Sequence, residues 1–325
     1  MKAIVNTAPG KCEFLEWPSP EPGKGEVRIR TAACGICSTD LQMIKGWDRT
    51  SFPAIPGHEW SGTVESVGAE VDKSLIGKHC VGENVLGDGG EVGFEHPGGY
   101  GQYFITCATN LHILPDDFPL HLAVLAEPIA VVVHGYHRLK ITHTEEVLIL
   151  GDGPIGLLMA LYMKQTGIER IKMAGGQPSR LEVGRSFGAD LTYQIPHQDG
   201  DFTGEIRQNL GEAFQYIVEA SGSVRALETA LIIAGRKGRI LVLGDYGMGR
   251  ARFEWNHLLH YELELIGSNA SAGAWKEAVY FMQTHQTELE RLITHTLQAP
   301  HFKEGLEIAK TKPNEAIKVV LTWEK

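Results

Sequence analysis

Cys34 and Cys37 stand three apart in "ACGICSTD", within a chain that has five cysteines. A C-x-x-C pair serves zinc sites and redox-active turns alike, and the spacing is equally compatible with no chemistry. Further on, "PAIPGHEWSG" sets His58 beside Glu59, and "LAEPIA" puts Glu127 next to a proline in an apolar stretch. Thiolate, imidazole and carboxylate are good zinc ligands, and three of them with one open position characterise a catalytic site. Each also has a plain structural role. Cys37 serves as a small buried apolar residue, His58 as a hydrogen-bonded loop residue, and Glu127 as a carboxylate favoured by a helix N-terminus.

A second constellation lies in "VLILGDGPIGLLMA", where Gly151, Gly153 and Gly156 have G-x-G-x-x-G spacing, with Pro154 and Ile155 before the third glycine. The loop follows an apolar strand and opens an apolar helix, the context a dinucleotide-binding loop requires. The first glycine allows the tight turn, the second lets the backbone approach a pyrophosphate, and the third lets helix and strand pack closely. The free N–H groups of the helix N-terminus then face the phosphates. In such folds the next strand normally ends in an acid that holds the ribose 2′-hydroxyl of NAD. Here "RIKMAGGQPSRLE" offers Gly175, Gly176 and Gln177 and no carboxylate, while Arg180 is placed to approach a 2′-phosphate. That tilts the expectation from NAD toward NADP.

The elements that must hold these residues fall into three stretches. Up to about residue 115, short runs such as "KAIVN", "EVRIRTAA", "SGTVESVG" and "YGQYFIT" read as strands between Gly, Pro and Asp turns. "HLAVLAEPIAVVVHGYHRL" has helical length, with Pro128 at a start or a break between two helices. Strands and helices then alternate from "EVLIL" through "GRILVLG", which predicts a parallel sheet covered on both faces. A tail from about 267 carries helical runs and ends on the apolar strand "AIKVVLTW", without an evident core of its own. It is expected to pack back on the first stretch.

Composition is that of a soluble globular protein, with 43% hydrophobic and 22% charged residues. The net charge of -10 and the lack of a basic block argue against nucleic acid or an anionic membrane as partner. The first residues lack a signal-peptide apolar region, and the odd, scattered cysteines do not form a disulfide framework, so a cytoplasmic enzyme is expected.

"GICSTD", "PGHEWSG", "GGYGQYF", "EPIAVVVHG", "GDGPIG" and "EASGS" occur in this order. With them the sequence resembles the zinc-dependent medium-chain dehydrogenase/reductases over nearly its whole length, nearer the polyol and threonine dehydrogenase branches than the animal alcohol dehydrogenases. The resemblance implies an α/β protein with a GroES-like β-rich catalytic domain, residues 1–125 and 267–325. A doubly wound Rossmann domain, residues 126–266, interrupts it, and the active site lies in the cleft between them. It further implies one catalytic zinc on Cys37, His58 and Glu127, with Cys34 a bystander. Glu59 would be an alternate ligand or tune the metal's field, Asp40 would orient the ligand histidine, and Thr39 would accept the substrate proton. The reaction implied is hydride transfer between a secondary alcohol, polyol or sugar, or the matching ketone, and NAD(P), in a homodimer or homotetramer. A zinc-free quinone-reductase-like enzyme of the same fold and a non-catalytic NAD(P)-binding protein are the competing readings.

The chain departs from its relatives in three places. "ENVLGDGGEVGFEHPGGYG" lacks the four cysteines that hold a structural zinc in many of them, so none is expected. Gln42 stands where a relay histidine is common. "NASAGAW" lacks an Arg-aromatic pair common in sorbitol-type enzymes, which weakens the case for a linear polyol. Trp47, Phe94 and His96 are candidates either for the pocket wall or for ordinary packing.

Overall fold

The computed structural model describes residues 1–47, 49–141, 146–196, 201–311 and 315–323. They form two compact units, Met1–Glu127 with Trp275–Lys325, and Pro128–Ala274.

The first unit is built on a seven-stranded sheet. The strands Ile293–Gln298, Lys318–Thr322, Glu26–Ile36, Glu59–Val67, His79–Gly82 and Leu111–Ile113 follow one another across it, and Tyr103–Cys107 pairs with Glu26–Ile36. The "AIKVVLTW" tail thus completes the N-terminal sheet. In Glu26–Ile36 the early residues alternate between buried Val27, Ile29 and Thr31 and half-buried Arg28 and Arg30, while every residue from Thr31 on is buried. This reads as a strand with one solvated face at its start and cover on both faces at its end. The core beneath includes Ile4, Ile29, Trp60, Val64, Phe104 and Leu321. Register matters for the site: Glu26–Ile36 pairs antiparallel with Glu59–Val67, Gly35 opposite Glu59, and with Lys318–Thr322 on its other edge, Ile36 opposite Val319.

The second unit holds a six-stranded parallel sheet in the spatial order Leu191–Gln194, Arg170–Gly175, Glu146–Leu150, Phe214–Glu219, Ala234–Val242, Glu264–Gly267. The chain starts in the middle, runs to one edge, then returns to build the other half. With the right-handed crossovers that parallel sheets require, this strand order puts the helices of the two halves on opposite faces, the doubly wound arrangement. The topological switch, where ligands bind in such sheets, falls at the C-terminal end of Glu146–Leu150, where the glycine loop begins. This unit runs to Ala274, eight residues past 266, because Glu264–Gly267 pairs along Ala234–Val242 and Ser268 N–H donates to the Val242 carbonyl.

The apolar stretch before it is two helices, Leu120–Ala123 and Ala126–Leu139, with Pro128 in the first turn of the second, where its missing N–H has no helical partner to lose. Leu120–Leu139 has the length and mean hydropathy, 1.2, of a membrane span, yet 61% of that window is buried inside the protein.

Candidate active site

Cys37 follows directly on the Glu26–Ile36 strand and caps the helix Ser38–Lys45. Its backbone N–H donates to Asp40 Oδ2 at 2.8 Å, which fixes the turn and anchors the fully buried Asp40 carboxylate. Tyr100 OH also donates to that oxygen, at 3.4 Å. The other oxygen, Oδ1, faces His58 Nδ1 at 3.3 Å, and neither atom has another hydrogen-bond partner. Asp40 therefore orients the imidazole through Nδ1, which leaves Nε2 as the nitrogen that could hold a metal. Thr39 Oγ1 lies 3.6 Å from Cys37 Sγ. Cys34 is buried in the core beneath the sheet and unpaired, its thiol pushed well above the ordinary value by burial. No redox pair is formed.

Among the described residues, Cys37, His58 and Glu59 place one ligand atom each within 4.8 Å of one another. Burial would lower the His58 pKa, but the Asp40 charge and hydrogen bond, with Cys37, raise it well above the ordinary value. Glu59 is engaged elsewhere. Lys318 Nζ contacts both its oxygens at 2.7 Å, and the two side chains are 4% and 2% exposed. Gly35 makes room for this pair, since a Cβ there would sit 2.2 Å from Glu59 Oε2. Gly35→Ala is accordingly expected to cost about 1–3 kcal/mol by overpacking, read as a lower urea midpoint.

Glu127, second residue of the helix Ala126–Leu139, lies outside the 4.8 Å group but within reach of its charges. Burial raises its pKa from 4.5 to about 7; the charges of His58 and Lys318 pull it down, while those of Glu59 and Asp40 push it up. Glu59 has its own counter-ion, and among the described residues Glu127 has none as close. A dication beside Cys37 and His58 would supply that missing charge, so the donor set fits zinc. The sign of the linkage is testable. With a folded value of about 7 against 4.5, the metal-free protein holds more protons folded than unfolded, so its stability falls as pH rises through that window. In chelated protein, urea melts of wild type and Glu127→Gln are expected to diverge against the wild type from pH 5 to pH 8. A flat difference contradicts this environment for Glu127.

Over His58 lies Phe94, with ring centroids 4.8 Å apart and the rings tilted. Trp47 meets Phe94 edge-on at 6.5 Å, and the Arg49 guanidinium sits 4.5 Å above the Phe94 ring. Arg49 also binds Glu95 at 2.5 and 2.8 Å and Glu91 at 2.7 Å, so the cysteine-free segment is held by an ion-pair clamp. His96 turns to Asp88 at 2.9 Å instead.

In the second unit, Gly151 has φ of 122°, and a Cβ on Gly156 would lie 2.0 Å from the Gly151 carbonyl oxygen. Gly153 caps the helix Pro154–Gln165, whose first residues are Pro154 and Ile155. Gln177 caps the helix Pro178–Ser186, with Arg180 buried in its first turn. Sequence reasoning missed Lys318 and Asp152. A lysine inside the apolar run "AIKVVLTW" was the available signal for the first, because a buried ammonium needs a partner. An acid between the first two glycines was the signal for the second.

Comparison with known proteins bears on the family and the fold. Residues 23–116 match the family described as alcohol dehydrogenase GroES-like domain, and residues 154–284 match zinc-binding dehydrogenase. An L-threonine 3-dehydrogenase of Anaeromyxobacter dehalogenans is 29% identical over 350 residues, and a sorbitol dehydrogenase of Halalkalibacterium halodurans 27% over 344, each match covering 99% of both chains. A solved structure described as a short chain alcohol dehydrogenase (rspB) from E. coli CFT073, complexed with NADH, superposes with TM-score 0.91 at 24% identity over 99% of each chain.

Proposed function

The chain belongs to the zinc-dependent medium-chain dehydrogenase/reductases and is an NAD(P)-dependent alcohol or polyol oxidoreductase, and on that premise we propose how its residues divide the work. The observation that carries the reading is the junction of three strands and a helix that sets Cys37 beside the Asp40-oriented His58, with Glu127 within range of their charges and, among the described residues, without a close counter-ion. Cys37, His58 and Glu127 would hold one catalytic zinc. When bound, the metal supplies a Lewis acid that lowers the pKa of an alcohol hydroxyl.

The remaining tasks belong to the chain. Asp40 keeps the His58 ring in one orientation and tautomer. Thr39 would relay the substrate hydroxyl proton, accepting it at Oγ1 while passing its own hydroxyl proton on to solvent, its Oγ1 being next to Cys37. Lys318 occupies both oxygens of Glu59 and holds that carboxylate back from the ligand set. Phe94, tilted against His58 and clamped through Arg49, forms an apolar wall beside the reacting centre. The Arg49 clamp and the Asn84 hydrogen bonds to the His58 carbonyl and the Trp60 indole do the holding that a structural zinc does in relatives, so the catalytic zinc is the single one.

The substrate is a small secondary alcohol, polyol or sugar, or the matching ketone; the threonine and sorbitol dehydrogenases among the relatives support that class. The protein works as a homodimer or homotetramer in the cytoplasm, where its odd, unpaired cysteines stay reduced. The carboxylate-free end of the strand Arg170–Gly175, taken alone, supports NADP.

A panel of secondary alcohols and ketones, followed by nicotinamide absorbance with both dinucleotides, tests this function. At least one substrate is expected to turn over, with activity lost on chelation and restored by zinc. Chelator-resistant turnover contradicts the assignment.

A further inference from the structure

The acid absent from the end of the strand Arg170–Gly175 is supplied from another place. Asp152, between the first two glycines of the loop, extends its side chain across that strand end. Its Oδ2 accepts the Gln177 backbone N–H at 2.7 Å. A Cβ on Gly175 would lie 2.4 Å from Asp152 Cβ and Cγ and 2.5 Å from Oδ2, so glycine at 175 is what admits the carboxylate. Asp152 is 9% exposed and Arg180, in the first turn of the following helix, is 6% exposed. Burial pulls the Arg180 guanidinium below its ordinary value, and the charge of Asp152 acts against that, so Arg180 lies within range of the Asp152 charge.

This strand end is where a dinucleotide in this fold presents its adenosine ribose, and an acid there accepts a hydrogen bond from the 2′-hydroxyl. Three consequences follow for the choice between a hydroxyl and a phosphate at that carbon. A carboxylate is an acceptor for the hydroxyl. It repels a dianionic phosphate at close range in a partly desolvated site. It also takes away what a phosphate would use, by occupying the Gln177 N–H and offsetting the positive charge of Arg180. All three point the same way and reverse the expectation drawn from Gly175, Gly176 and Gln177 alone.

We propose that Asp152 selects NAD over NADP by placing its carboxylate across the end of the Arg170–Gly175 strand, at the ribose 2′ position. The proposal rests on the dinucleotide reading of the glycine loop.

Titration of nicotinamide fluorescence with NADH and with NADPH tests it without any substrate. The wild type is expected to bind NADH at least about tenfold more tightly than NADPH, the scale of one unfavourable like-charge contact. In Asp152→Asn, which keeps shape and removes charge, the ratio is expected to collapse toward one, mainly through tighter NADPH binding. Adding Arg180→Ala to that variant should weaken NADPH and leave NADH unchanged. Wild-type protein that binds NADPH as tightly as NADH, or a folded Asp152→Asn that keeps the full ratio, overturns the proposal. Failure to bind either dinucleotide overturns instead the reading of the loop beneath it.

Discussion

Cys37→Ser is expected to empty the metal site and to lower turnover by about a thousandfold, since Lewis-acid stabilisation is worth several kcal/mol and each 1.36 kcal/mol is a factor of ten. The hydroxyl of serine is a far poorer zinc ligand than a thiolate, and His58 and Glu127 alone leave two positions unfilled. The partner of the C-x-x-C pair provides the contrast. Cys34 has no exposed surface and belongs to the core, so Cys34→Ala should cost about 1 kcal/mol of packing while zinc content and turnover stay near wild type. A redox or zinc-knuckle function would make the two substitutions equivalent. Metal analysis and kcat of the pair separate the cases, and equal losses would remove Cys37 from its special position.

Lys318→Met has the second large effect, and it acts through Glu59. The pair is buried with both carboxylate oxygens on one ammonium at 2.7 Å. Removing one partner of such a pair leaves an uncompensated buried charge, typically costing about 3–5 kcal/mol. Replacing both partners by neutral groups of similar size is often close to neutral. Glu59→Gln in the Lys318→Met background is therefore expected to recover most of the lost stability in urea melts. Turnover of the single variant should fall too, because the released Glu59 carboxylate, in the same 4.8 Å group as Cys37 and His58, competes for the open position. A Lys318→Met protein with wild-type stability and kcat would show that the pair has no such restraining role.

The parts of this protein written in local pattern were legible. The glycine loop sits between an apolar strand and an apolar helix, and both are found at the residues the pattern marks, Glu146–Leu150 and Pro154–Gln165. The helix Ser38–Lys45 after Cys37 lies in a stretch whose pattern reads as strands and turns; the motif resemblance marked Cys37 itself, not the helix that follows it. Strands of three or four residues, such as His79–Gly82, Leu111–Ile113 and Leu191–Gln194, are too short to show alternation and exist because longer neighbours template them. Lys318 and Glu59 are 259 residues apart, and only the register of three strands makes them a pair. Arg49 and Glu95 likewise meet through a turn whose direction no local signal encodes. Asp152 was visible as an acid in the loop, but its meaning depends on its side chain lying over Gly175, a matter of side-chain direction.

The most direct test is zinc K-edge X-ray absorption on the purified wild-type protein, with zinc quantified in the same sample. One zinc per chain is expected, with a single sulfur scatterer at about 2.3 Å and the remaining ligands nitrogen or oxygen at about 2.0–2.2 Å. A shell of several sulfurs, a shell with none, or protein that turns over substrate without zinc would contradict a catalytic centre built on Cys37, His58 and Glu127.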